Sequence, residues 1–216
     1  RNLFGVLPII RDPTRYDATA RHLSALWKAT GADEPAAIAR AARGPIVWVY
    51  RFDWDEEPRL FLVDVQRLLG AAHAFEIPFV FGHWHLGKQT SLFFRDESLP
   101  GREELSRKMI SYWTEFARSG DPGRGRDRSL PRWEPFEPDP GRFLVFDTEA
   151  GGGVRMESGR ATIDGVFAAV DRDPDLATQQ EKCDAYRRLV EWGRGASRER
   201  YASLCADHPL PIAKID

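Results

Sequence analysis

Hydrophobic positions in this chain recur at two spacings, three to four residues in some stretches and two in others, and each spacing predicts a different element. An apolar opening from Leu3 to Ile10 ends at Asp12-Pro13, a turn signal. Ala20, Leu23, Leu26 and Trp27 then share a helical spacing, which predicts a helix over 16–30 with those four residues inward. A second helix over 34–43 ends at the Gly44-Pro45 stop. The pattern changes in Ile46-Val47-Trp48-Val49-Tyr50-Arg51-Phe52-Asp53-Trp54. The first half of this segment is apolar on both faces, as a strand inside a parallel sheet is; the second half alternates, with Tyr50, Phe52 and Trp54 on one side.

A helix-like run covers 60–69. The strongest helical stripe covers 103–119, where Leu105, Met109, Tyr112, Trp113 and Phe116 share a face ahead of the terminator Gly120-Asp121-Pro122. The glycine- and arginine-rich stretch from Gly123 to Arg132 lacks the strand-to-helix frame of a phosphate loop and reads as a solvated turn. Phe143 to Phe146 predicts a short strand, Gly151-Gly152-Gly153 a turn, and Val154 to Met156 the partner strand. A final helix over 177–192 points Cys183, Tyr186, Leu189 and Val190 inward.

Strands followed by helices make this an α/β chain. No internal repeat and no long linker divides it, so residues 1–216 read as part of a single domain. One strand that is apolar on both faces is too few for a doubly wound sheet. The chain is therefore expected to form the flank of a larger α/β sheet, incomplete without polypeptide upstream, and its start at Arg1 reads as a processed product or one piece of a longer protein.

Composition narrows the function. Hydrophobic content of 42% with 12% aromatics is that of a globular chain, not a disordered one. A formal net charge of −2, with arginines spread among acids, makes no electrostatic case for nucleic acid or an anionic membrane as partner. No apolar run reaches the ~18 residues of a membrane span. Cys183 and Cys205 are too few for a disulfide scaffold or a zinc cage. They either close one local loop of roughly 20 residues or stay as two thiols, one on a helix and one near the tail; the second reading is the expectation, and the compartment stays open.

The candidate chemistry centres on Gly70-Ala71-Ala72-His73-Ala74-Phe75-Glu76-Ile77-Pro78-Phe79-Val80-Phe81-Gly82. His73 lies between Gly70 and an apolar run, on a loop downstream of the buried strand, and open α/β sheets carry their chemistry beyond strand carboxyl ends. An imidazole titrates near 6.5 when unperturbed, so at neutral pH it can accept a hydroxyl proton and return it to a leaving alkoxide. A rival constellation is His83-Trp84-His85, whose imidazoles face one way if the segment is extended. No third ligand at sensible spacing is evident, so no metal site is expected.

The His73 segment resembles the histidine segment of the type-B carboxylesterases, the cholinesterase-like branch of the α/β-hydrolases, whose pattern runs Gly-x-x-His-x-x-Glu-[Ile/Leu]-x-[Phe/Tyr]-[Val/Leu]-Phe-Gly. Further segments match in order. Val47 to Asp53 resembles the family's strand before the histidine loop. Tyr112 to Pro122 is similar to its Trp-x-x-Phe-Ala-x-x-Gly-x-Pro, Trp133-Glu134-Pro135-Phe136 to its Trp-Pro-x-Tyr with Glu134 as a departure, and Lys182-Cys183-Asp184 to its late cysteine. No cysteine lies upstream of Cys183 to form the bridge that cysteine makes in cholinesterases.

The resemblance implies the C-terminal portion of an α/β-hydrolase fold, ester hydrolysis through an acyl-serine intermediate, and no cofactor. It implies that His73 is the triad histidine and that Phe75 lines the alcohol side of the substrate pocket or else packs in the core. Glu76, three residues after His73, corresponds to a family glutamate that is not the triad acid. The nucleophile elbow Gly-x-Ser-x-Gly and the glycine-rich oxyanion segment do not occur in the chain. Arg1-Asn2-Leu3-Phe4 resembles the tail of the segment that carries the triad glutamate, so the serine and the glutamate are expected upstream, and the chain alone is expected to be inactive. The alternative is a cholinesterase-like protein without catalysis, serving protein–protein contacts.

Overall fold

The computed structural model describes residues 2–3, 7–8, 10–42, 46–60, 63–84, 93–192 and 198–210. Its strands are β1 (Asn2–Leu3), β2 (Leu7–Pro8), β3 (Tyr50–Phe52), β4 (Arg59–Leu60), β5 (Val63–Asp64), β6 (Arg142–Phe146) and β7 (Arg155–Ser158). Its α-helices are α1 (Pro13–Lys28), α2 (Glu34–Ala41), α3 (Val65–Leu69), α4 (Glu76–Phe81), α5 (Leu99–Ser119), α6 (Ile163–Arg172), α7 (Gln179–Trp192) and α8 (Arg198–Leu204). The contacts divide the chain into two compact units, one of residues 1–9 and 46–159, the other of residues 10–45 and 160–216.

The first unit is built on a mixed sheet in the order β3-β6-β7. β3 runs parallel to β6, with Tyr50 opposite Leu144 and Phe52 opposite Phe146, and β6 pairs antiparallel with β7. β6 is the middle strand, and Phe143 to Phe146 are buried because both its edges and both its faces are covered. The expected hairpin of 143–146 with a partner after the glycine turn is present as β6 and β7. The segment from Ile46 to Trp54, expected to run as a strand inside a parallel sheet, needs correction: only Tyr50–Phe52 is a strand, it has β6 of this same chain as one neighbour, and it forms an edge of the described sheet. Ahead of it, the Val47 carbonyl accepts the Phe136 N–H (2.7 Å), and the Val49 carbonyl accepts both the Leu144 N–H of β6 (3.0 Å) and the Trp133 indole N–H (3.1 Å). An apolar cavity of 340 Å³ opens beside them, walled by Trp48, Tyr50, Trp113 and Phe116. Phe116, expected inward, is 48% exposed there.

Helix α5 packs against α4 and closes the core with Leu105, Met109 and Tyr112 at helical spacing. It begins four residues before the expected Glu103, because Pro100 fits a first turn whose N–H would be unpaired in any case. Gly120 ends it in the left-handed region at φ 76°. The run 60–69 is also not one helix. β4 and β5 make a short hairpin, and α3 starts where the Asp64 carboxylate accepts the Arg67 N–H (3.0 Å).

The second unit is helical. Asp12-Pro13, read as a turn, is the start of α1, with the Asp12 carboxylate accepting the Arg15 N–H (3.1 Å) and Pro13 in the first turn. Ala18, His22 and Leu26 form its buried face, while Trp27, expected inward, is 56% exposed. A π-helical turn, Ala29–Asp33, carries α1 into α2 and turns the register there. Its Asp33 carboxylate accepts from the Lys28 ammonium (2.5 Å) and the Ala161 N–H (2.6 Å). Helices α6 and α8 were not foreseen; α6 is capped by the Thr162 hydroxyl on the Gly165 N–H (3.0 Å) and buries Val166, Phe167 and Val170. The two thiols expected to stay free are joined: Cys183 on α7 and Cys205 just after α8 form a disulfide across 22 residues, inside the unit's apolar core. His22 Nε2 meets Asp173 Oδ2 at 2.6 Å, tying α1 to the turn after α6.

Candidate active site

His73 sits on a loop bounded by two left-handed turns. Gly70 stops α3 at φ 52°, ψ −149°, a region closed to other residues, and donates its N–H to the Gln66 carbonyl (2.7 Å). The Ala72 N–H then bonds back to the Gly70 carbonyl (2.6 Å), and the Phe75 N–H to the Ala72 carbonyl (3.1 Å), which makes His73 and Ala74 the two central residues of a tight turn. Ala74 has φ 71°, and α4 follows at Glu76. The imidazole at this corner is exposed.

Helix α4 is fixed from behind. The buried Ser106 hydroxyl of α5 donates to the Phe79 carbonyl (2.7 Å), and the Phe79 ring lies 5.0 Å from Phe52 and 5.4 Å from Trp54. Phe75 joins the same aromatic group, 5.6 Å from both Phe93 and Phe94 and 6.4 Å from Trp54. Of its two sequence readings, core packing is therefore visible in the geometry. Glu76 stands in the first turn of α4; burial raises the Tyr50 hydroxyl pKa, and the charge of Glu76 raises it further.

The His73 loop meets the carboxyl ends of the parallel strands. Gly70 and Ala71 line a cleft of 440 Å³ together with Asp53 and Asp55, which follow β3, Asp147 and Gly151, which follow β6, and Arg155, the first residue of β7. Arg51 grips Asp53 through three bonds, Nε to Oδ1 (2.7 Å) and to Oδ2 (3.0 Å) and Nη2 to Oδ2 (2.6 Å), and also reaches Glu157 at 3.2 Å. Asp147 is buried and accepts the Thr148 N–H (2.8 Å), with Arg155 4.0 Å away. Burial holds its carboxyl above the usual range, and the charges of Asp53 and Asp55 add to that. The Thr148 hydroxyl donates to the Glu56 carboxylate. The neighbouring Glu57 is buried with neither carboxyl oxygen hydrogen-bonded, and burial pushes its pKa up to about 8.

His83 is exposed, Trp84 packs 4.9 Å from Phe79 with the Arg102 guanidinium 4.8 Å over its ring, and His85 lies outside the described residues. Among the described residues no three His, Cys, Asp or Glu side chains are placed to hold a metal ion. Sequence reading missed Asp147 and Gly151 as members of the cleft, although Asp147 directly follows the strand it did find.

A sequence model described as the carboxylesterase family matches residues 12–162, more than half of the chain. The chain belongs to the carboxylesterase family. Carboxylesterase 5A of Mus musculus is 35% identical over 121 residues, which are 56% of this chain and 20% of that protein. Acetylcholinesterase of Gallus gallus is 36% identical over 120 residues, 54% of this chain and 14% of that one. The chain thus spans a fifth or less of the length of these relatives. Among solved structures, the Geobacillus stearothermophilus carboxylesterase EST55 is similar over 56% of this chain and 21% of its own, at 29% identity and a TM-score of 0.39.

Proposed function

We propose that this carboxylesterase-family chain supplies the acid/base histidine, His73, of an ester hydrolase that works through an acyl-serine intermediate. Polypeptide upstream of residue 1 contributes the nucleophilic serine and the acidic partner. The observation that carries the reading is that the glycine-hinged loop before His73 lines one cleft with the residues that follow parallel strands β3 and β6, the position where α/β sheets carry out chemistry.

In the proposed reaction the His73 imidazole takes the serine proton as the serine oxygen bonds to the ester carbonyl carbon. The tetrahedral adduct collapses as His73 returns that proton to the leaving alkoxide. Water, deprotonated by the same imidazole, then attacks the acyl carbon, and His73 returns that proton to the serine oxygen as the acyl–oxygen bond breaks and the acid leaves. Half-buried Phe75, two residues on, forms part of the wall on the alcohol side. The described edge position of β3 supports upstream polypeptide as the partner that completes the sheet.

The test is p-nitrophenyl acetate hydrolysis by the complete protein. His73→Ala is expected to lower kcat roughly 10³-fold or more while folding stability stays near the parent's, and residues 1–216 alone are expected to give no turnover above background. Undiminished kcat in His73→Ala, or brisk turnover by residues 1–216 alone, would overturn the proposal.

A further inference from the structure

Ala74 and Arg128 are the two non-glycine residues with left-handed φ among the described residues, and Ala74 directly follows His73. Alanine enters this region at a cost that glycine does not meet, because its Cβ crowds the following carbonyl. A residue stays there only when its surroundings hold it, and here the segment that follows is tied down. On the far side, Phe75 is packed among Trp54, Phe93 and Phe94, and the Ile77 N–H donates to the Ala74 carbonyl itself (3.3 Å). On the near side, the chain reaches His73 through Gly70, which occupies backbone space that supplies no restraint of its own.

With Phe75 and α4 fixed, the φ angle of Ala74 decides where His73 points. Everything N-terminal to the Ala74 N–Cα bond turns with that angle. Relaxing φ from 71° to the ordinary right-handed value near −63° would swing His73 through roughly 130° about that bond. The Phe75-to-Ala72 hydrogen bond of 3.1 Å, which closes the turn, depends on the same angle.

We propose that Ala74 is a positioning residue for His73, its left-handed backbone aiming the imidazole outward from the anchored Phe75–α4 platform. The inference rests on the reading of His73 as the acid/base group. Its signature is an effect on kcat with little on KM, because a misdirected imidazole impairs proton transfer and leaves the substrate's other contacts in place.

The test pairs two substitutions of nearly equal size and polarity in the complete protein, assayed on p-nitrophenyl acetate. Asparagine tolerates the left-handed region and β-branched threonine does not. Ala74→Asn is expected to keep kcat within about threefold of the parent, and Ala74→Thr to lose about tenfold or more, with KM within about threefold in both. Ala74→Gly should keep the parental kcat as the conservative rescue. Equal kcat losses in the Asn and Thr variants, or none in Thr, overturn the proposal. If Ala74→Thr does not fold, the other two decide: retention of kcat in both Gly and Asn variants supports it, and a tenfold loss in either refutes it. His73→Ala is measured alongside, and parental kcat in that variant defeats the acid/base reading itself, whatever the Ala74 series shows.

Discussion

A Cβ placed on Gly151 would lie 2.3 Å from Asp147 Oδ2 and 2.5 Å from its carboxyl carbon. The glycine and the buried carboxylate fill one corner of the cleft together. Asp147 cannot retreat freely, because the Thr148 N–H holds its Oδ1 at 2.8 Å. Gly151→Ala should therefore force a shift in the loop after β6 and cost about 1–3 kcal/mol, the usual range for overpacking a tight site. Chemical denaturation of the folded protein measures it. Adding Asp147→Ala, which vacates the space, should restore part of the loss. A double variant less stable than the sum of the two singles would contradict the contact.

The Cys183–Cys205 bridge closes a loop of 22 residues within the helical unit. A loop of this length restricts the unfolded chain enough to stabilise the fold by about 3 kcal/mol. Replacing both cysteines with alanine should lower the denaturation free energy by about that amount. Reductant should lower the melting temperature of the parent and leave that of the double variant unchanged. A parent indifferent to reductant would mean that the bridge contributes nothing.

What the sequence disclosed followed how local each signal was. The α5 stripe, the β6–β7 pair with its glycine turn, and the His73 loop were legible because spacing and turn residues sit within a few positions of one another. Trp27 and Phe116 were misplaced because helical spacing says which residues share a stripe but not where the stripe ends, and both lie at its border on the exposed side. β3 was read too long because apolar residues at 46–49 satisfy a strand pattern, whereas the Val47 carbonyl bonds to Phe136 and the Val49 carbonyl is shared between Leu144 of β6 and the Trp133 indole, from distant sequence. The disulfide depended on α8, whose short span Arg198–Leu204 carries little periodicity, so nothing local brought Cys205 back to α7. Ala74 was invisible for the opposite reason: an alanine carries no mark of left-handed backbone, as a glycine would.

Glu76 and Tyr50 are coupled through charge, the phenol's pKa being raised first by burial and then by the carboxylate. Glu76→Gln removes the charge and keeps the shape. The Tyr50 hydroxyl should then ionise at lower pH, a change that ultraviolet titration of tyrosinate against a Tyr50→Phe control can read. In the complete protein the same substitution should reduce kcat far less than His73→Ala, in keeping with a glutamate that shapes the start of α4 and takes no proton from the histidine. A loss equal to that of His73→Ala would make Glu76 the acid of the triad.

Glu57 gives the fold a pH dependence of definite sign. It is buried, neither of its oxygens has a hydrogen-bond partner, and burial raises its pKa from the ordinary 4.5 to about 8. Between those two values the folded chain keeps a proton that the unfolded chain has released. Stability from this group is therefore complete below pH 4.5, declines as pH rises, and levels off once the folded carboxyl has ionised above about 8. The decline for one proton is at most about 1.4 kcal/mol per pH unit. Glu57→Gln keeps the side chain neutral at every pH, so its stability relative to the parent should rise steadily from pH 5 to pH 8. Urea denaturation at matched ionic strength across that range provides the measurement. Parallel pH profiles for the two proteins would show that Glu57 is ionised in the native state at neutral pH and has found a partner for its charge.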